Sequence, residues 1–237
     1  MIRALIVDDE IHAREELEAL LLETGEFAVL GKCGNALEAI PTIRRLRPEV
    51  LFLDIQMPQI SGLELLSMID AEHMPNVVFV TAFDEYALKA FEENALDYLL
   101  KPVEPRRLGK TVEKLKKRII QGARPVYATP EIRKIPCAIA GGIKLLDLAE
   151  VEFVRSDLTG VHVVCSRAEF FTELTLRVLE QRTPLLRCHK QFLINLDQAD
   201  EILLRDGLLA EIKTRSGKRV PVSRRNLKRL KERLEIG

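Results

Sequence analysis

Tryptophan is absent from this 237-residue sequence, tyrosine occurs three times, and aromatic side chains make up 5% of it. Readers of single-stranded nucleic acid stack bases on aromatic rings, so that function class has little to stand on. The four cysteines, Cys33, Cys137, Cys165 and Cys188, are too few and too scattered for a disulfide scaffold, and none forms a Cys-x-x-Cys zinc pattern. They are expected to be buried, inert thiols in a reducing compartment. No apolar run approaches the ~18 residues of a membrane-spanning helix. The first apolar run, ending at Val7, meets Asp8 and Asp9 before a secretory segment could be completed, so a soluble, cytoplasmic protein is expected. Net charge is also missing: 36 Lys and Arg balance 36 Asp and Glu. With 47% hydrophobic and 30% charged residues the balance is globular, which excludes collagen-like and wholly disordered chains. At about 150 residues per domain, the length fits one large domain or two small ones.

The neutral total conceals an asymmetry. Residues 1–103 carry 8 basic and 19 acidic side chains, and the remainder 28 basic and 17 acidic. Between Lys213 and Arg233 stand ten Lys and Arg and one acid, Glu232. Two domains with different partners, the second polyanionic, would produce this pattern. A merely solvated charged surface would produce it equally well, so charge alone leaves the choice open.

Periodicity separates the two halves. Five short apolar runs, beginning near Ala4, Phe27, Val50, Val77 and Tyr98, alternate with stretches whose apolar residues recur at helical spacing. Those stretches include Ala13, Leu17, Leu20 and Leu21; Ala39, Ile40 and Ile43; residues 61–69; Tyr86, Ala87, Ala90 and Phe91; and Leu108, Val112, Leu115 and Ile119. Apolar strands alternating with one-sided helices predict a parallel sheet covered on both faces, a doubly wound α/β domain over residues 1–121. Gln121-Gly122-Ala123-Arg124-Pro125 and Thr129-Pro130 then mark a linker over 122–133. From 134 to 237 the pattern predicts a mainly-β domain, with strands at 161–165, 202–204, 208–212 and 220–222. Asp206-Gly207 and Ser216-Gly217 are its turns, and helices are expected only at 172–182 and 224–234.

Ligands in open α/β sheets bind beyond the carboxyl ends of the strands. There the first half places Asp8 and Asp9 after strand one, Asp54 after strand three, Thr81 after strand four and Lys101 after strand five. Three clustered carboxylates repel one another unless a cation intervenes, and Mg²⁺ suits an all-oxygen site that retains waters. A lysine and a hydroxyl alongside would bind phosphoryl oxygens. Singly, each residue has a plainer use: Asp8 or Asp9 could cap a helix, Asp54 could start a turn, and Lys-Pro pairs are common in loops. Together, each at a strand terminus and in this order, they are hard to obtain by accident.

The segments Val7-Asp8-Asp9-Glu10, Asp54-Ile55-Gln56-Met57-Pro58, Ser61-Gly62, Thr81-Ala82 and Lys101-Pro102 give residues 1–120 a close resemblance to two-component receiver domains of flavodoxin-like fold. The resemblance implies that Asp54 accepts a phosphoryl group from a histidine kinase. It implies Mg²⁺ held by Asp9, by Asp8 largely through water, by Asp54 and by the Gln56 backbone carbonyl. Lys101, expected before a cis bond to Pro102, would bridge to the phosphate, while Thr81 moves toward it and Tyr98 swings inward, altering the surface of the last strand and last two helices. Phe83 beside the site cannot orient a water, which suggests slow self-dephosphorylation. An aspartate-nucleophile phosphatase is the rival reading, but such enzymes want a second Asp where Gln56 stands, so no enzyme activity is expected.

Residues 134–237 resemble the LytTR DNA-binding domain, through Arg187-Cys188-His189-Lys190, Asn195-Leu196 and Pro221-Val222-Ser223-Arg224-Arg225. By that resemblance Lys190 and Arg225 would contact bases or backbone, with His189, Arg224, Lys228 and the Asp157-Leu158-Thr159-Gly160 loop nearby, Thr159 among the contacts. The whole chain is thus similar to the LytR/AlgR response regulators. The resemblance implies a membrane-bound LytS-type sensor kinase, a homodimer formed on phosphorylation, and direct repeats in promoter DNA. An RNA-binding or protein-binding output domain is the remaining alternative.

Overall fold

The structure, a computed structural model, describes residues 1–82, 95–122, 125, 127, 131–205 and 209–233. The expected helix around Tyr86–Phe91, Phe83, Thr129-Pro130, the Asp206-Gly207 turn, Leu208 and the end of the final helix at residue 234 lie outside the described residues. The chain divides into two compact units, Met1–Pro130 and Glu131–Gly237.

In the first unit the elements run β1 (Ile2–Val7), α1 (Ile11–Glu23), β2 (Phe27–Cys33), α2 (Ala36–Leu46), β3 (Val50–Leu53), α3 (Gly62–Ser67), β4 (Asn76–Thr81), β5 (Asp97–Leu100) and α4 (Pro105–Gln121). The strands form a parallel sheet in the order β2-β1-β3-β4-β5. Its central strands are apolar runs because both faces are covered. One face packs Ala4, Ile6, Phe52, Val78, Val80 and Leu99 against Leu17 and Leu21 of α1 and Leu108, Val112 and Leu115 of α4. The helices begin where side chains supply acceptors: Asn35 accepts from the Glu38 amide at α2, and Ser61 and Glu64 close a reciprocal capping box at α3. At the edge, Asp97 is buried and receives both Arg107 terminal nitrogens at 2.7 and 2.5 Å, Thr111 Oγ1 at 2.7 Å and Lys114 Nζ at 2.9 Å. These bonds draw α4 onto β5. Burial alone would raise the Asp97 carboxyl, but the donors prevail and hold it well below the ordinary range.

Part of the expected linker is structured. Tyr127 is buried, its hydroxyl accepting from the Val77 amide at 2.7 Å and donating to the Pro75 carbonyl at 3.1 Å.

The second unit contains β6 (Lys134–Ile139), β7 (Gly142–Asp147), β8 (Val151–Asp157), β9 (Gly160–Cys165), β10 (Glu169–Thr172), α5 (Leu176–Arg182), β11 (Leu186–His189), β12 (Phe192–Ile194), β13 (Ala199–Arg205), β14 (Leu209–Thr214), β15 (Arg219–Val222) and α6 (Arg224–Arg233). Seven strands pair antiparallel in the order β11-β12-β8-β9-β10-β6-β7, and β13-β14-β15 make a separate sheet. Phe153, Val164 and Ile194 of the larger sheet pack with Ile212, Val220 and Val222 of the smaller one and Leu230 of α6. Buried Glu152 on β8 fastens the β14–β15 turn, accepting from the Ser216 amide (3.1 Å), Ser216 Oγ (2.7 Å) and Lys218 Nζ (3.0 Å). The helix expected from residue 172 begins only at Leu176. Thr172 is still in β10 with its hydroxyl on the Pro136 carbonyl, and Thr175 caps the helix through the Val178 amide.

Candidate functional site

In the first unit β1 and β3 are neighbours although β2 lies between them in sequence. The chain therefore leaves β1 and β3 toward opposite sides, opening a crevice at their carboxyl ends. Asp8 and Asp9 follow β1 and Asp54 follows β3, so the acids straddle that crevice, and a carboxylate oxygen of each lies within 4.8 Å of the others. Asp8 and Asp54 are buried, whereas Asp9 is exposed. Lys101, from the tip of β5, places Nζ 2.7 Å from Asp8 Oδ2 and 2.7 Å from Asp54 Oδ2. Its backbone amide donates to the Thr81 carbonyl at 3.0 Å, and its bond to Pro102 is cis.

Local bonds orient the acids. The Glu10 amide donates to Asp8 Oδ1 at 3.0 Å and the Gln56 amide to Asp54 Oδ1 at 3.1 Å. Gly62 is forced by geometry: a Cβ there would lie 2.2 Å from the Asp54 carbonyl oxygen, so α3 starts directly beneath the loop carrying that acid. Burial pushes the Asp8 carboxyl up, with the Lys101 hydrogen bond opposing. For Lys101, burial works against the charged ammonium, yet its bonds to Asp54 and Asp8 outweigh it and the pKa is raised.

Thr81 is fully buried, and its hydroxyl has no hydrogen-bond partner among the described residues. An unmatched buried hydroxyl costs about 1–3 kcal/mol. Three carboxylates with one open to water form a hard-oxygen donor set, fitting a divalent ion that keeps part of its hydration shell. Beside them an open cleft is lined by Asp9, Gln56, Met57, Pro58 and Ser61. Tyr98 is buried on β5, next to Asp97, whose carboxylate is held by Arg107, Thr111 and Lys114.

The second unit brings the segments that carry its expected DNA contacts to one end. Across β8 and β12, Arg155 pairs with Phe192, and the Ser156 amide donates to the Gln191 carbonyl at 2.9 Å. The Ser223 amide, entering α6, donates to the Cys188 carbonyl at 2.9 Å. The β8–β9 tip, the His189–Gln191 turn and the start of α6 therefore adjoin. Lys190, Arg224, Arg225 and Lys228 are exposed there, and Lys190 and Arg225 make no ion pair among the described residues. Lys228 lies 4.0 Å from Glu232. His189 Nδ1 accepts the Gln191 amide at 3.3 Å and so stabilises its own turn. Thr159 Oγ1 donates to Asp157 Oδ1 at 2.5 Å and meets His162 Nε2 at 2.8 Å. Sequence reasoning missed the ion pair of buried Glu152 with Lys218, which ties the opposite end of β8 to the β14–β15 turn; a lone acid in an apolar strand was its only signal.

Comparison with known proteins adds to the geometry. Residues 4–113 match the family model described as response regulator receiver domain, and residues 141–235 match the LytTr DNA-binding domain. The chain belongs to the LytTR response regulators. It is 54% identical over 241 residues to the transcriptional regulatory protein BtsR of Salmonella typhi, covering all of both chains. It is 52% identical to BtsR of Escherichia coli K12, again over the whole of both. An uncharacterized response regulatory protein of Yersinia pestis is 52% identical over 237 residues, with full coverage of each. The regulator thus couples a receiver, whose kind binds Mg²⁺ through such an acidic pocket, to a DNA-binding domain; its partners are a kinase and DNA, and its family regulates transcription rather than catalysing metabolism. Among the described residues no helix is long and apolar enough to cross a membrane.

Proposed function

We propose that this response regulator is phosphorylated on Asp54 and then binds promoter DNA through its second unit. The observation that carries the reading is the Lys101 ammonium shared between Asp8 and Asp54, next to a buried Thr81 hydroxyl with no partner among the described residues. An aspartyl phosphate on Asp54 would bring oxygens for both groups to bind as charge-assisted acceptors. Asp8, Asp9, Asp54 and the Gln56 carbonyl would hold Mg²⁺, which when bound neutralises the phosphoryl oxygens. The residues of the chain then have separate work. Asp54 forms its O–P bond as the N–P bond of a kinase phosphohistidine breaks. The Gln56 amide and Lys101 fix its two oxygens, and Lys101 turns its charge toward the product. Thr81 moves onto the new group, and Tyr98 follows, biasing the surface formed by β5 and α4.

A LytS-type, membrane-bound sensor kinase is the proposed phosphodonor, and the regulator works in the cytoplasm as a homodimer once phosphorylated. Two basic units then engage direct repeats, and linking two weak sites raises apparent affinity through effective concentration. Lys190, Arg225, Arg224, Lys228 and His189 supply the DNA-facing edge, and Thr159 holds the neighbouring tip. Incubation of the full chain with acetyl phosphate and Mg²⁺ tests the receiver half. The wild type incorporates one phosphoryl group, chelation of the metal prevents it, and Asp54→Asn incorporates none. Labelling that persists in Asp54→Asn removes Asp54 from the role.

A further inference from the structure

Leu158 is the most exposed large apolar side chain among the described residues, its relative exposure matching that of an isolated residue at 105%. A lone exposed leucine on an ordinary surface means little. This one stands at the end of a hairpin built to hold it in place. Asp157 pairs with Gly160 across a loop of only two residues, Leu158 and Thr159. Asp157 Oδ1 accepts both the Thr159 amide (2.8 Å) and the Thr159 hydroxyl (2.5 Å), which locks the turn. Arg155 bonds to both Asp157 and Glu169, and His162 lies 3.3 Å from Glu169, so the charged groups at the base of the tip are occupied with one another. Gly160, at φ +123°, lies against the Phe171 ring, where a Cβ would come within 2.5 Å.

The tip therefore presents an isobutyl group on a braced turn, while its polar side chains are turned to one another. The same end carries Lys190 and Arg225, placed beside it by the Ser156–Gln191 and Ser223–Cys188 backbone bonds. The only apolar feature on a base edge in the major groove is the thymine C5-methyl group.

We propose that Leu158 is a specificity-determining residue that recognises the methyl group of a thymine within each DNA repeat. The inference rests on the DNA-binding reading above and adds the chemistry of one contact. Lys190 and Arg225 neutralise phosphate or bond base edges, and Leu158 reads a position by shape and apolar contact alone. Because its side chain touches solvent only, replacing it leaves the fold intact.

Duplexes selected from a randomised library by the full-length, phosphorylated wild type supply the probe. Each thymine of the selected repeat is then replaced in turn by deoxyuridine, which lacks only the methyl group. For the wild type, one substitution in each repeat weakens binding about fourfold, the effect of one buried methyl group. Leu158→Ala binds the unmodified duplex at least about fourfold more weakly, and is indifferent to deoxyuridine at that same position while wild-type penalties persist elsewhere. Wild-type affinity in Leu158→Ala, or deoxyuridine penalties unchanged by it, overturns the assignment and leaves the DNA-binding reading standing. Failure of the wild type to enrich any sequence overturns both.

Discussion

Gly62→Ala inserts a single carbon at a crowded point beneath the Asp54 loop. The new Cβ would lie 2.2 Å from the Asp54 carbonyl oxygen, 3.0 Å from Leu53 Cγ and 3.1 Å from the Asp54 carbonyl carbon. Ordinary contact begins near 3.4 Å, so the loop and the start of α3 must separate by about 1 Å. The obstacle is backbone, which cannot rotate aside as a flexible side chain does. The Gly62 amide also donates to the Ile55 carbonyl at 2.9 Å, and separation strains that bond too. Overpacking of this kind costs about 1–3 kcal/mol, offset by less than about 1 kcal/mol of helix propensity gained at a first-turn position. A net loss of about 2 kcal/mol lowers the receiver melting transition by roughly 6–12 °C. Because Asp54 itself is displaced from Lys101, phosphate incorporation from acetyl phosphate slows as well. Calorimetry and a labelling time course on the full chain measure both. A variant that melts with the wild type and labels at the wild-type rate would refute the close approach of α3 to the Asp54 loop.

Two further expectations concern the receiver scaffold. The Asp97 carboxyl is held below its unfolded value, so its stabilisation is complete above the unfolded pKa of about 3.9 and fades as pH falls through that value toward the folded one. Asp97→Asn should cost about 2 kcal/mol at pH 7, less than a fully buried pair because Arg107 and Lys114 are partly in water, and should flatten the acid limb of the stability profile. Urea melts from pH 7 to pH 2 check this, and an acid limb as steep as wild type's contradicts it. Tyr127→Phe leaves the Val77 amide without its acceptor and should cost about 1–3 kcal/mol. Hydrogen exchange at the Val77 amide should accelerate, and unchanged protection would show that the tyrosine does not anchor this segment.

Much of the first unit was legible because its signals are local. Apolar runs such as Val50–Leu53 are strands because both sheet faces are covered, and each acid of the pocket sits directly after one of them. The clustering of Asp8, Asp9, Asp54 and Lys101 follows from strand order, which alternation of strand and helix already limits. Tyr127 was illegible: its neighbours look like a linker, and only the distant Val77 amide explains its burial. In the second unit short strands such as Phe192–Ile194 carry too few residues for a period to show. Thr172 sat in an apparent helical stretch, but its hydroxyl is claimed by Pro136, thirty-six residues earlier, a contact no local pattern announces. Leu158 and Lys190 could be quoted from the sequence, whereas their adjacency needed the pairing of β8 with β12.

Whether a phosphoryl group on Asp54 controls DNA binding by the second unit is measured by titrating the full chain with a library-selected duplex before and after treatment with acetyl phosphate. Phosphorylation should tighten binding of the wild type at least about tenfold, the direction set by pairing two sites on one duplex, with affinity falling steeply as salt rises. Asp54→Asn should bind weakly under both conditions. Equal affinity with and without the phosphoryl group, or tightening that survives in Asp54→Asn, would contradict control through Asp54.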